Sequence, residues 1–360
     1  VSPETSTLET FRQEFRNSNG IPLNSENQEI ALMQLIDAPT REQQTNVLPL
    51  RIAFSDYDRT RPMLDGRVVP EGTAPAYTLD DIAQFCTRPV YEEFDVAEMS
   101  FSWYCAARDR GEPVIALPIF PLRMPVLAYM YCRADAPFQS PADLRGKKIG
   151  VLGYRLTVML WLRGIIEDHF GVRPEEMSWV STFATEGAGY VYPAGLDVTV
   201  APDADLEELL LDGTVDAVFA PTTLPGIARG DKRLRRLFPD SRAALADYYK
   251  KTNILPITHT VCVSEALIER APWVADSMLT AFRHAQQICD ESYLEPKFLS
   301  GFDQVLSLEE GRHTFGETQY VHGLKRNRHI VETFVRYAHK QNYIKTLPDI
   351  DSLFASVSND

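Results

Sequence analysis

No run of apolar residues here is long enough to cross a bilayer. Pro, Arg or Asp breaks each one within about 8–12 residues, where a spanning helix needs about 20. Positive charge is also short, with 36 Lys and Arg against 50 Asp and Glu and a net charge of -14. That balance excludes a polyanion-binding surface as the main business, so no nucleic acid is expected as partner. It leaves open a small anion held by a local cluster of Arg. Cysteine is sparse and scattered, at Cys86, Cys105, Cys132, Cys262 and Cys289, an odd number with no CxxC. Zinc knuckles and thioredoxin-like chemistry are therefore excluded, and the thiols read as small buried hydrophobes in a reducing compartment. Val1-Ser2-Pro3-Glu4-Thr5 has neither the basic nor the apolar region of an export signal, so a cytoplasmic protein is the expectation. GxSxG, GxGxxG and P-loop motifs are absent, and none of the 7 histidines forms HExxH or HxH.

What is present is an ordinary globular composition, 44% hydrophobic and 24% charged over 360 residues, which suits two lobes better than one. Residues 1–47 read as an extension, acidic and poor in aromatics, with a short amphipathic helix over 29–36 ending near Pro39. From Leu48 the pattern alternates. Strands are expected over 50–54, 94–99, 114–120, 148–152, up to Phe219, and over 257–263; helices over 155–170 and 203–211, and through most of 265–343. Strands alternating with helices predict α/β layers with a mainly parallel sheet. Residues 140–151 and 211–218 resemble two elements of type II periplasmic binding proteins, the start of the second lobe and the element where that lobe closes. The resemblance implies a two-lobed α/β fold with a central cleft and a helical C-terminal part. Lobe 1 would take residues 48–130 and 235–345, lobe 2 residues 131–234, and 346–360 a C-terminal tail.

Candidate chemistry gathers at predicted strand ends, where open α/β sheets place ligands. Asp56-Tyr57-Asp58-Arg59-Thr60-Arg61 leaves the first strand. Glu98 lies near the end of a buried strand, an expensive place for a carboxylate unless it is paired or working, and Arg59 or Arg123 could pair with it. Alternation puts Asp95 and Ala97 on one face, Val96 and Glu98 on the other. Phe120 and Arg123 follow another strand, and Tyr154 and Thr157 open the long helix that carries Trp161 and Arg163. His259 is the histidine on a buried strand; His284, His313, His322, His329 and His339 are expected to be solvated.

Taken in order, DYDRTRPMLDGRVVPEG, EFDVAEMSFSWY, ALPIFPLRM, SPADLRGKKIGV, YYKKTNILPITHTV and YVHGLKRNRHIVETFVRYAHKQ make the chain resemble the 4,5-dihydroxyphthalate decarboxylase family from Leu48 to about Phe354. The resemblance implies loss of one carboxylate from a dihydroxylated aromatic diacid, giving protocatechuate, without an organic cofactor. A small aromatic acid is then the partner, no membrane takes part, and a homo-oligomer is expected. Each substrate carboxylate is para to a hydroxyl. Removing the phenol proton pushes electrons onto the carboxylated carbon, an acid protonates that carbon, and CO2 leaves as aromaticity returns. Such chemistry needs Arg to hold carboxylates, a base near the phenol and an acid near the ring. Arg59, Arg123 and Arg163 are the Arg candidates, Glu98 and Asp58 the bases, His259 the acid; Phe120, Tyr57 and Trp161 could wall the ring, with Tyr154 and Thr157 also at the substrate. Two readings compete: a non-catalytic binding protein for a small anionic solute, and a divalent metal held by Asp56, Glu98 and His259. The stretch 182–200, with Thr185-Glu186-Gly187-Ala188-Gly189-Tyr190, reads as a variable loop beside the cleft.

Overall fold

The computed structural model describes residues 47–80, 89–183, 191–202, 204–295, 297, 301–358 and 360. Residues 1–46, Cys86 and the 184–190 part of the expected loop lie outside the described residues, as do the readings that fall on them. Leu48–Asp360 forms a unit of its own.

Two sheets organise this unit. The first contains β1 (Leu48–Phe54), β2 (Thr73–Leu79), β3 (Val96–Ser100), β4 (Val114–Leu117) and β11 (His259–Ser264), in the order β2-β1-β3-β11-β4. β1 runs parallel to β2 and β3, and β11 runs antiparallel to both of its neighbours. The second contains β5 (Met130–Arg133), β6 (Lys148–Val151), β7 (Ser178–Ser181), β8 (Asp197–Val200), β9 (Ala217–Phe219) and β10 (Leu234–Arg236), in the order β10-β5-β9-β6-β7-β8. Here β5 is the antiparallel strand, set between β9 and β10. The sheets share one plan. In each, the first strand after a crossing between sheets, β5 or β11, enters a parallel sheet the other way up. This is the two-lobed α/β architecture expected from the sequence.

Several strands start later than the hydrophobic pattern suggests. β3 begins at Val96; Asp95, just before it, already bonds Arg51 of β1 through both its backbone N–H, to Arg51 O at 2.9 Å, and its carboxylate, which accepts from Arg51 N–H at 2.8 Å. β11 begins at His259; Ile257 makes only a single bridge, to Arg123. Among the described residues, the helices of the first lobe include α1 (Arg61–Leu64), α2 (Val90–Glu93) and α3 (Phe101–Asp109). α4 (Thr157–Phe170) is the helix expected over 155–170; it ends at Gly171, whose φ of +69 suits a residue without a Cβ. α5 (Leu206–Leu211) is shorter than expected, capped by Asp205, whose carboxylate accepts from Glu208 N–H. α6 (Pro225–Arg229) and α7 (Ser241–Thr252) follow, then α8 (Glu265–Arg270), α9 (Trp273–Ser292), α10 (Gln304–Phe315) and α11 (Leu324–Lys340).

The core explains these positions. One cluster joins Ala97 and Met99 with Phe101, Phe120, Trp161, Trp179, Phe334 and Tyr337, so α4 and α11 are buried against both sheets. A second packs Val96, Val261 and Val263 against Val274, Met278 and Phe282 of α9. Alternation along β3 thus sends Ala97 and Met99 to one cluster and Val96 to the other, as the sequence pattern requires.

Candidate active site

At the C-terminal edge of the first sheet three chain segments meet. β1 ends at Phe54 and runs into Ser55 and Tyr57; β3 brings Glu98 and Ser100; β11 starts at His259. The antiparallel register pairs His259 with Ser100 and Val261 with Glu98, so Glu98 and His259 are diagonal neighbours on one face. Glu98 is 0% exposed and His259 5%. His259 Nδ1 lies 2.7 Å from Glu98 Oε1. The same oxygen accepts from the Tyr57 hydroxyl at 2.6 Å, and Oε2 accepts from Ser55 N–H at 3.0 Å. Burial pushes the Glu98 carboxyl up, but the bond and charge of His259, the Tyr57 hydroxyl and the Ser55 amide outweigh it and hold the group below the usual carboxylate range. Burial, then the Glu98 charge, push the Tyr57 phenol far above its ordinary value.

Sequence reasoning offered Arg59 or Arg123 as partners for Glu98, and the structure corrects this. Arg59 Nε donates to Pro121 O at 2.7 Å and Nη1 to Asp58 Oδ1 at 3.1 Å. Its guanidinium is covered by the Tyr57 ring at 4.1 Å and the Tyr320 ring at 3.9 Å. Arg123 donates to Leu255 O at 2.9 Å, Val321 O at 2.8 Å and Asn327 Oδ1 at 2.5 Å, and burial lowers it to about 10. Asp58 accepts from Arg59 and from the Tyr293 hydroxyl; burial raises its carboxyl, and these donors bring it below its ordinary value. Asp56 pairs with Arg61 at 3.2 Å on the exposed rim instead of joining Glu98 and His259. Among the described residues no group of three or more His, Cys, Asp or Glu is placed to hold a metal ion.

The other candidates sit deeper. Phe120 is 0% exposed and packs edge-on against Phe101 and Phe354. Trp161 donates its indole N–H to Ile257 O at 2.7 Å. Arg163 lies 3.6 Å over the Tyr154 ring and donates to Tyr154 O at 2.7 Å and Gln341 Oε1 at 2.8 Å. Tyr154 packs edge-on against Trp179 and Tyr192. Thr157, in the first turn of α4, is bonded to the end of the first sheet: its Oγ1 lies 2.7 Å from Ser100 Oγ and accepts from Ser102 N–H at 3.0 Å. Of the candidates, then, the structure gathers Tyr57, Glu98 and His259 in direct contact, with Arg59 stacked on Tyr57.

Sequence reasoning missed Ser55, Ser100, Ser102, Tyr293 and Tyr320. Ser100-Phe101-Ser102, small polar residues at a strand-to-helix turn, carried a signal that could have been read. Tyr293 and Tyr320 carried none. His322, expected to be solvated, is buried instead. Its Nδ1 accepts from Phe120 N–H at 3.1 Å, and burial with the nearby Arg123 charge holds it at about 3, neutral. Tyr320 also lines a cavity of about 750 Å³ with Gln286, Asp290 and His322; none of Tyr57, Glu98 and His259 lines it.

Two α/β lobes on one strand plan place the molecule among two-lobed proteins of the type II periplasmic-binding-protein-like fold. The periplasmic aliphatic sulphonate binding protein SsuA from Escherichia coli shares this fold, with a TM-score of 0.54 over 86% of this chain and 97% of that one at 12% identity. No family model matches the sequence. The 4,5-dihydroxyphthalate decarboxylase of Comamonas testosteroni is 32% identical over 307 residues, 82% of this chain and 92% of that protein. The protein of the same name from Pseudomonas putida is 33% identical over 213 residues, 57% of this chain and 83% of its own length. The chain belongs to the 4,5-dihydroxyphthalate decarboxylase family, and its class is that of the carboxy-lyases.

Proposed function

We propose that this protein decarboxylates a dihydroxylated aromatic acid, with 4,5-dihydroxyphthalate as substrate and protocatechuate and CO2 as products. The observation that carries the reading is the Glu98–His259 contact at the sheet edge, 2.7 Å long and almost wholly buried. A buried, ionised carboxylate favours the imidazolium form of its neighbour, and imidazolium is an acid of suitable strength near neutral pH. With Nδ1 facing Glu98, the proton would leave from Nε2 for the carboxylated ring carbon. The carbon–carboxylate bond then breaks, its electron pair restores aromaticity, and CO2 departs. His259 recovers its proton from solvent. Glu98 in this scheme holds the imidazolium and is a poor base, because its donors keep its carboxyl below the usual range; the phenol proton goes to water and is regained by the product phenolate once CO2 has left. A water-poor environment favours a charged carboxylate leaving as a neutral molecule.

Family membership supports the reaction class, and the likeness to a sulphonate-binding protein concerns the fold alone. The deciding experiment incubates the purified protein with 4,5-dihydroxyphthalate and follows protocatechuate and CO2, with and without a chelator. Stoichiometric release of both is expected, at a rate the chelator does not change. Tight binding by calorimetry with no CO2 would make it a binding protein, and loss of turnover with chelator would bring a metal into the mechanism.

A further inference from the structure

We propose that Tyr57 is a positioning residue for this reaction: its hydroxyl pins Glu98 Oε1 where that oxygen holds His259 by Nδ1, so that Nε2 is the nitrogen presented to the ring carbon. The inference rests on reading His259 as the proton donor. The Glu98 carboxylate is fixed through both of its oxygens. Oε2 is tied to the backbone by Ser55 N–H at 3.0 Å, and Oε1 takes the Tyr57 hydroxyl at 2.6 Å beside His259 Nδ1 at 2.7 Å. The Tyr57 hydroxyl and the His259 ring are both in polar contact with Oε1, so the phenol restrains this carboxylate from the side away from the backbone bond to Ser55. Tyr57 is itself held. The Arg59 guanidinium covers its ring at 4.1 Å, Arg59 is anchored on Pro121 O at 2.7 Å, and Tyr57 N–H donates to Thr60 Oγ1 at 3.3 Å.

Among the described residues, titratable and charged groups placed against Glu98 and Tyr57 come from three elements: Tyr57, with Arg59 over its ring, from the segment after β1; Glu98 from β3; His259 from β11. The Tyr57 proton is committed to Glu98, which leaves it unsuited to be the acid or the base. What the hydroxyl does is share the charge of Oε1. Removing it leaves the imidazole as the one side-chain donor to that oxygen, concentrates negative charge on it, and frees the carboxylate to swing. Imidazolium then becomes more stable and the ring less well oriented.

Tyr57→Phe keeps the ring, the Arg59 stack and the backbone bond, and tests the proposal in the intact protein. Two quantities are read: turnover of 4,5-dihydroxyphthalate across pH, and the titration of the His259 ring by nitrogen NMR in the resting protein, assigned by its loss in His259→Gln. The expected result is a fall in kcat of about tenfold with KM changed less than about twofold, and a His259 titration moved upward by about half a pH unit or more. A raised KM with unchanged kcat and an unmoved titration would overturn the proposal, and would make Tyr57 a substrate contact or a packing residue. Normal turnover in His259→Gln would instead overturn the underlying reading. Loss of turnover in His259→Gln with an unmoved titration in Tyr57→Phe would remove Tyr57 alone.

Discussion

A carboxylate with no solvent exposure is stable only when its charge is answered, and Glu98 is answered three times over. The folded carboxyl lies below its ordinary range, so the stabilisation it brings is present above the unfolded value, about 4.3, and is lost as pH falls through the folded value. Glu98→Gln removes that dependence. In thermal unfolding followed from pH 7 to 3, the gap in Tm between the wild type and Glu98→Gln should be widest near neutrality and narrow in acid. A constant gap would mean that the ionised form contributes nothing. At the same scale, His259→Gln keeps size and a donor but cannot shuttle a proton. Turnover should fall by roughly 10²–10⁴ while substrate affinity, measured by calorimetry, changes little. Glu98 could be singled out from alternation along its strand. The identity of its partner could not, because the register of a strand far along the chain decides it.

Among the elements, α4 shows most directly how packing limits sequence. Its apolar residues predicted a helix, and the helix formed; every residue from Thr157 to Ile166 is buried. Gly164 looks like a weak point in such a helix, since Gly costs about 1 kcal/mol against Ala. Its reason lies on α11: a Cβ at Gly164 would overlap the ring of Tyr337, a residue 1% exposed and flanked by Trp161 at 5.7 Å. Gly164→Ala should therefore lower stability by about 1–3 kcal/mol despite its better helix propensity, as overpacked cores do. Urea unfolding measures this; a stabilised variant would show that the two helices can move apart freely. The boundaries of α5 and β3 have different origins: α5 starts at a local cap, Asp205 on Glu208 N–H, whereas the residue before β3 is engaged by a distant strand. Side chains such as Asp95 are claimed by neighbours that a local pattern does not contain.

On the scale of the whole molecule, Arg123 joins segments far apart in the chain. Arg123 stood in the sequence as a substrate clamp, yet it ties the end of the first sheet to the 255 and 321–327 segments through three acceptors. Arg123→Met, similar in bulk, strips the donor from buried acceptors and should cost on the order of 2 kcal/mol of stability. Equilibrium unfolding and substrate affinity, measured side by side, distinguish the roles: a substrate clamp would lose affinity at unchanged stability. The sequence by itself determined the alternation of strands and helices, the two-lobed fold class and membership of the decarboxylase family, because periodicity and ordered motifs are properties of the chain read locally. Tertiary structure decided that Glu98 meets His259 and Tyr57, that Arg59 is stacked between two rings, and that His322 is buried and neutral. A guanidinium, an imidazole or a carboxylate takes its role from whatever donors and acceptors lie within about 3 Å, and here those come from segments that meet only when both sheets have formed.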